Sequence, residues 1–332
     1  MSTNDSQAVS YEILHTPSEQ KIAGLWMQNP PVNALSKSVR VGLIEHLNTA
    51  IADDSVRVIV ISSKQNLFSG GADISEFAGG DLEPNLPAVL DVIENSPKPV
   101  IAILNGPAFG GGLEVALSCH YRITFAANKV GLPEVNLGIL PGAGGTQRLP
   151  RLAGVQQALD MIVSGRPVVA KQLSGVFDEI VDSPESLLSS AIAFCENIIS
   201  DGAKVRKTCD LQIDASSAPK ELFAQYRQGL ATKARGFFAP ERCIQAVEAA
   251  VELPFAQGLV REGELFMECM RSKEARAQQH FFFAERAASH VKDFDKSTPV
   301  RDIKAVGLRE NCADLIDVEY HKEKCPMPLL EV

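Results

Sequence analysis

The sequence lacks the features of several protein classes. Its seven cysteines, spread over 332 residues, lie at least thirteen positions apart, so none forms the CxxC pair of a zinc or dithiol site. The six histidines show no ligand spacing either, and no metal is expected. No apolar run approaches the ~20 residues of a membrane-spanning helix. The polar N-terminal segment Met1–Ser10 has no secretory signal, which predicts reduced thiols in a cytoplasmic location.

Basic residues are too few for general nucleic-acid binding. The 32 Lys and Arg residues against 41 Asp and Glu residues give a net charge of −9, which argues against DNA, RNA and anionic membranes as partners. Hydrophobic residues at 45% and charged residues at 22% are near the averages of soluble globular proteins. At roughly 150 residues per domain, the length predicts two domains, or one large domain with an attached helical part.

The order strand, helix, strand, helix from residue 56 to 126 predicts a mainly parallel α/β sheet. Tyr11–His15 and Lys21–Met27 flank a turn and predict a hairpin, and a helix is expected from the N-cap residue Ser36 to about Asp53. The β-branched run Val56–Ser62 and the apolar run Val100–Leu104 predict strands that are buried on both faces. Ligands of such sheets usually lie at the carboxyl ends of the strands.

Helices replace strands from about residue 184 onwards. Long helical stretches are predicted over Pro219–Arg235, Pro240–Leu253 and Leu259–Ala288. The polar stretch Lys292–Arg301 predicts a linker.

A first glycine cluster, Phe68–Ile74, follows the strand predicted at Val56–Ser62. Gly70 and Gly71 allow a ligand to approach the backbone closely, so that a peptide N–H near Ala72 would face a bound carbonyl group. An ordinary tight turn explains the same residues, and the fragment alone favours that interpretation.

A second cluster, Asn105–Leu117, follows the strand Val100–Leu104. Its three consecutive glycines precede an apolar helix and expose N–H groups at the helix start, a ready site for an oxyanion. Glu114 lies among apolar residues of that helix, where a carboxylate finds a partner, caps the first turn or carries a raised pKa for proton transfer. Capping and catalysis explain it equally well.

A third cluster, Val130–Thr146, contains Glu134 as another isolated carboxylate. The following Gly142–Thr146 segment either lines a cavity or starts the next helix, and it lacks the Lys of a phosphate-binding P-loop. Two isolated glutamates beside two donor loops fit the handling of one water and one proton while a neighbouring carbonyl becomes an enolate. That combination is more specific than any of its parts.

These clusters resemble the crotonase (enoyl-CoA hydratase/isomerase) family. Phe68–Ile74 is similar to the family's first oxyanion loop, Asn105–Glu114 to the second, and Pro133–Leu149 to the rest of the signature. The resemblance implies an α/β fold, a crotonase-like spiral of ββα units followed by a helical C-terminal part.

The resemblance also implies the roles of individual residues. Glu114 and Glu134 would be catalytic, positioning water and exchanging the proton in the syn hydration of a trans-2-enoyl-CoA, while the N–H groups of Ala72 and Gly111 would hold the thioester carbonyl as an oxyanion hole. The implied substrate- and CoA-binding positions are Ala34, Leu35, Gly70, Gly71, Asp73, Ile74 and Gly142. No cofactor is implied, since CoA is part of the substrate. The alternatives are Δ3,Δ2-enoyl-CoA isomerase as main or second activity, and a non-catalytic acyl-CoA-binding subunit.

Over residues 10 to 307 the chain most resembles the N-terminal half of multifunctional fatty-acid β-oxidation enzymes. We therefore expect a crotonase core at residues 1–185, a helical region with a linker-type helix at 186–291, and a poorly ordered remnant of a dehydrogenase start at 292–332. Leu308–Cys312 replaces the GxGxxG turn of a dehydrogenase, so NAD is not expected. Homo-oligomer and monomer both stay open, and Leu330–Val332 is not a peroxisomal address.

Overall fold

The computed structural model describes residues 8–288, apart from residues 75 and 77–82. The predictions for the N-terminal segment up to residue 7 and for residues 292–332, including the linker and the dehydrogenase-like start, lie outside the described residues.

The described strands form a six-stranded and a three-stranded sheet, ordered β1-β2-β3-β4-β6-β9 and β5-β7-β8. The strands are β1 Val9–His15, β2 Lys21–Met27, β3 Val56–Ser63, β4 Val100–Leu104, β5 Ala108–Phe109, β6 Tyr121–Phe125, β7 Lys129–Gly131, β8 Val168–Val169 and β9 Glu179–Val181. The predicted hairpin is confirmed, because β1 and β2 pair antiparallel. All other neighbours in the large sheet are parallel, as predicted.

The helices cover both faces of the large sheet and extend beyond it. They are α1 Lys37–Ala52, α2 Leu86–Glu94, α3 Gly111–Ser118, α4 Gly145–Ala153, α5 Val155–Ser164, α6 Pro184–Ser200, α7 Lys220–Lys233, α8 Ala239–Glu252, α9 Phe255–Arg271 and α10 Lys273–Ala288. In the part of the chain that the structure describes, none of the helices is long and apolar enough to cross a membrane.

The prediction of one helical stretch over Leu259–Ala288 is wrong at one position. Ser272 has extended backbone angles, φ −70° and ψ 153°, and separates α9 from α10. Its hydroxyl accepts a hydrogen bond from the N–H of Ala275 at 3.0 Å, so it caps the start of α10. A serine cap, with no proline or glycine beside it, therefore interrupts the helix.

The start of α1 also differs from the expectation. Ser36 is the N-cap residue, but its hydroxyl does not cap the helix. The N–H of Lys37 donates instead to Oε1 of Glu76 at 2.8 Å, and Oε2 of Glu76 accepts from Arg40 at 2.8 Å. A distant carboxylate thus replaces the local cap and ties α1 to the segment beyond the first glycine cluster.

Alternate residues of β3 enter different hydrophobic layers. Val58 and Val60 pack with buried residues of α6, whereas Ile59 and Ile61 belong to the larger core on the opposite face. That larger core also contains Ile244 of α8. One compact unit ends at Phe283 and a second begins at Ala284. The division predicted after residue 185 stays a prediction.

Candidate active site

The three glycine clusters meet around a cavity of about 320 Å³. Its wall contains ten of the eleven predicted site residues, namely Leu35, Gly70, Gly71, Ala72, Asp73, Ile74, Gly111, Glu114, Glu134 and Gly142. Ala34 does not belong to the wall, and its carbonyl oxygen accepts a hydrogen bond from Asn29. The roles of these residues toward a ligand stay predictions.

Two peptide N–H groups lie close together where the first and second clusters meet. A Cβ built on Gly111 would lie 3.3 Å from the nitrogen of Ala72, which shows how closely the two loops approach. Within the described part of the chain, neither the Ala72 nor the Gly111 N–H donates to an acceptor. Two unused donors side by side can bind one carbonyl oxygen and stabilise negative charge on it.

Short backbone pairings hold these loops in place. Leu35 bridges to Ala72, and Ser69 bridges to Ala108, in both cases in the parallel sense. Gly71 lies between them with φ +102°, and a Cβ at this position would come within 2.9 Å of a backbone oxygen of the second loop. Glycine is therefore required at position 71 both by conformation and by space.

Glu114 is buried in the first turn of α3, with 2% of its surface exposed. Its Oε1 accepts from the N–H groups of Ala143 at 2.9 Å and Gly145 at 2.8 Å. Glu114 thus binds the start of α4 and does not cap its own helix. Burial raises its pKa, and the two N–H groups together with Arg148 oppose part of that rise.

Glu134 begins a short 3₁₀ helix, Glu134–Leu137, and also lines the cavity. Its Oε2 is buried without a hydrogen-bond partner in the described residues. Burial, followed by the negative charge of Glu114, raises the pKa of Glu134 well above its ordinary value. A carboxyl group whose pKa is raised in this way is a candidate for proton transfer inside the cavity.

A third buried carboxylate, Glu262 on α9, lies behind the cavity and was missed by the sequence analysis. It is 1% exposed, and it accepts from the N–H of Gly144 at 2.6 Å and that of Thr146 at 3.0 Å. Burial, followed by the negative charge of Glu114, raises its pKa to about 8. The available signal was its place on the apolar stripe of α9, one turn after Gly258 and three residues before Leu265.

A buried ion pair stabilises the segment that begins at Ala143. Arg148 and Glu94 are buried, with Nη2 and Oε2 2.6 Å apart, and Nη1 of Arg148 donates to the carbonyl of Ala143 at 3.0 Å. The cavity wall also contains three residues that were not predicted from the sequence, namely Arg40, Glu76 and Phe266. Arg40 and Phe266 lie on helices whose pattern alone does not show which side chains reach a cavity. In the described ranges, no cluster of His, Cys, Asp and Glu could hold a metal ion.

Comparisons with known proteins show which sequences this chain is similar to. A family model described as enoyl-CoA hydratase/isomerase matches residues 18–239. A human protein named peroxisomal bifunctional enzyme is 41% identical over 301 residues, which are 89% of this chain and 41% of that protein. A cucumber protein (Cucumis sativus) named glyoxysomal fatty acid beta-oxidation multifunctional protein MFP-a is 34% identical over 303 residues, covering 86% of this chain and 41% of that protein. The chain therefore spans about two fifths of the length of these relatives.

Solved structures show the same fold. A crystal structure titled as an enoyl-CoA hydratase from Bacillus anthracis has a TM-score of 0.54 and 26% identity, and covers 84% of this chain and 97% of that one. A structure from Geobacillus kaustophilus, titled as an enoyl-CoA hydratase subunit, has a TM-score of 0.52 and 29% identity with the same coverage of both chains. The predicted crotonase-like α/β fold with a helical C-terminal part is confirmed.

Proposed function

The chain belongs to the enoyl-CoA hydratase/isomerase family, and we propose that it hydrates trans-2-enoyl-CoA thioesters in fatty-acid β-oxidation. One observation carries this proposal: two unused N–H donors and two carboxyl groups of raised pKa line one cavity. The names of the relatives, in which fatty-acid β-oxidation appears, support the substrate class.

In the proposed mechanism, the N–H groups of Ala72 and Gly111 bind the thioester oxygen and stabilise the enolate that forms there. Glu114, held by two N–H groups, orients a water and accepts its proton as the hydroxyl adds to the β-carbon. Glu134, whose pKa is raised by burial and by the negative charge of Glu114, delivers a proton to the α-carbon. In this proposal the hydroxyl group and the proton add to the same face of the carbon–carbon double bond, so the addition is syn.

Isomerisation of a 3-enoyl-CoA is proposed as a second activity. Oε2 of Glu134 has no partner in the described residues, so it is available to move a proton between two carbons of one enolate. This step needs no water and uses the same two N–H donors. A non-catalytic acyl-CoA-binding subunit remains the alternative of another class.

The testing experiment follows the loss of conjugated-thioester absorbance of crotonyl-CoA. Wild type, Glu114→Gln and Glu134→Gln are compared after circular dichroism has shown that all three are folded. Each substitution is expected to lower kcat by about 10²–10⁴-fold, the usual contribution of a positioned acid or base. Glu264→Gln, at a carboxylate whose side chain is 58% exposed, is the matched control. No turnover by folded wild type, together with crotonyl-CoA binding, would instead support the non-catalytic alternative.

Cofactor and location belong to the same proposal. The hydration uses no NAD, and addition of NAD to the assay should change nothing. The cytoplasmic location stays a prediction, although the relatives' names, peroxisomal and glyoxysomal, favour an organelle. Microscopy of the tagged chain beside a peroxisomal marker distinguishes the two.

A further inference from the structure

Four consecutive N–H groups at the start of α4 alternate between two carboxylates. Those of Ala143 and Gly145 donate to Oε1 of Glu114, and those of Gly144 and Thr146 donate to the two oxygens of Glu262. The hydroxyl of Thr146 also donates to Oε2 of Glu262 at 2.5 Å. Every N–H of this segment is therefore paired, and each carboxylate takes every second one.

This alternation couples the two glutamates through the backbone. Successive N–H groups cannot turn independently, so the Glu262 carboxylate, which holds Gly144 and Thr146, also sets the direction of the neighbouring donors of Ala143 and Gly145. Without the Glu262 carboxylate, the buried N–H groups of Gly144 and Thr146 would lose their acceptors, which is unfavourable. The segment would then rearrange to satisfy these N–H groups. The Glu114 carboxylate would turn with its donors.

We propose that Glu262 is a positioning residue for catalysis: by holding the N–H groups of Gly144 and Thr146, it fixes the orientation of the Glu114 carboxylate in the cavity. Glu262 does not line the cavity and touches no substrate in this scheme. It lies on α9, outside the residues that the family model matches. The inference rests on the proposed function, since it names how one of its catalytic groups is held.

The charge of Glu262 also affects the pKa of Glu134. Glu114 on α3 and Arg148 on α4 face it, and the Thr146 hydroxyl and the two N–H groups complete its contacts. A negative charge on Glu262 also contributes to the raised pKa of Glu134. Above about pH 8, where Glu262 is ionised, Glu262→Gln removes that charge, so the pKa of Glu134 should be lower in the variant than in wild type.

The experiment compares Glu262→Gln with Glu264→Gln, a loss of charge at an exposed position of the same helix. We expect kcat for crotonyl-CoA to fall about 10²-fold in Glu262→Gln, the effect of a small displacement of a catalytic group, with KM changed far less. In the Glu114→Gln background, the same substitution should have almost no further effect on kcat, because the group that it positions is already gone.

Hydrogen exchange tests the positioning without any turnover. Exchange at the amides of residues 143 and 145 should quicken in Glu262→Gln but not in Glu264→Gln. If wild type shows no turnover but the exchange rates change as expected, the proposed function is wrong and the positioning role of Glu262 still holds. Unchanged exchange and unchanged kcat would overturn the positioning. If Glu262→Gln does not fold, Thr146→Val, which removes one hydrogen bond to Glu262, should show the same effects in smaller size.

Discussion

Gly110 leaves free the space that the carboxylate of Glu134 occupies, since a Cβ on Gly110 would lie 2.8 Å from Oε1 of Glu134. The same glycine is the N-cap residue of α3, with φ +52° and ψ −129°. It therefore combines an unusual backbone conformation with the close approach of a proposed acid, immediately before the Gly111 N–H.

Gly110→Ala should damage catalysis more than folding. The new methyl group displaces the Glu134 carboxylate, and we expect kcat for crotonyl-CoA to fall about 10²-fold. An alanine at φ +52° and ψ −129° lies in a sparsely populated backbone region, which costs about 1–3 kcal/mol of stability. Gly229→Ala is the control, because a Cβ there meets no atom within 4 Å. It should leave kcat unchanged, and equal losses in the two variants would contradict the prediction.

Stability should decrease as the pH rises. Burial raises the pKa of Glu262 to about 8, well above the value of about 4.3 in an unfolded chain. The folded state thus binds this proton more tightly, and the resulting stability is full below about pH 4 and is lost as the pH rises through about 8. Thermal unfolding between about pH 6 and about pH 9 should show a falling Tm.

In Glu262→Gln, Tm should fall less steeply as the pH rises, because an amide does not titrate. Burial also raises the pKa values of Glu114 and Glu134, so part of the slope should remain. Glu264→Gln should keep the wild-type slope, and an unchanged slope in Glu262→Gln would refute the assignment.

Arg148→Met should destabilise the protein strongly. It leaves Glu94 as a buried charge without its ion pair, which costs about 3–5 kcal/mol, and it removes a hydrogen bond to Ala143. Urea unfolding measures the loss. Arg261→Met breaks an ion pair on the surface and should cost less than about 1 kcal/mol. Similar values for the two variants would show that the buried pair contributes little.

Phe266→Ala should change substrate selection. The ring covers Gly142, where a Cβ would lie 2.7 Å from it, and forms part of the cavity wall. Its removal enlarges the cavity, so kcat/KM for bulky acyl chains should rise relative to that for crotonyl-CoA. Met267→Ala changes a neighbouring exposed side chain on α9 and should leave the ratio unchanged. A uniform loss for all chain lengths in Phe266→Ala would contradict this role.

Local sequence predicted the parts of the site that depend on local chemistry. Glu114 and Glu134 were identifiable because each carboxylate interrupts an apolar segment, and the glycines were identifiable because they follow strand ends. The parallel pairing of β3 and β4 likewise follows from two buried strands, rich in β-branched residues, that are separated by a helix.

The remaining parts depend on contacts between distant segments. The register of Glu262 with Gly258 and Leu265 indicates burial, but it does not show that Gly144 and Thr146 are the partners of this carboxylate. Glu76 replaces the expected cap of α1 for the same reason, since 39 positions separate it from Lys37. Such pairings depend on the tertiary fold, which no local pattern encodes.

The unused donors of Ala72 and Gly111 belong to the main chain, and this limits what substitution can reveal. An alanine scan of the cavity leaves both peptide groups in place, so it would assign the whole reaction to the glutamates. Replacement of one amide bond by an ester, through chemical ligation or a hydroxy acid, removes the hydrogen while keeping every side chain. The contribution of the two N–H groups to catalysis can therefore be measured only by changing the backbone itself.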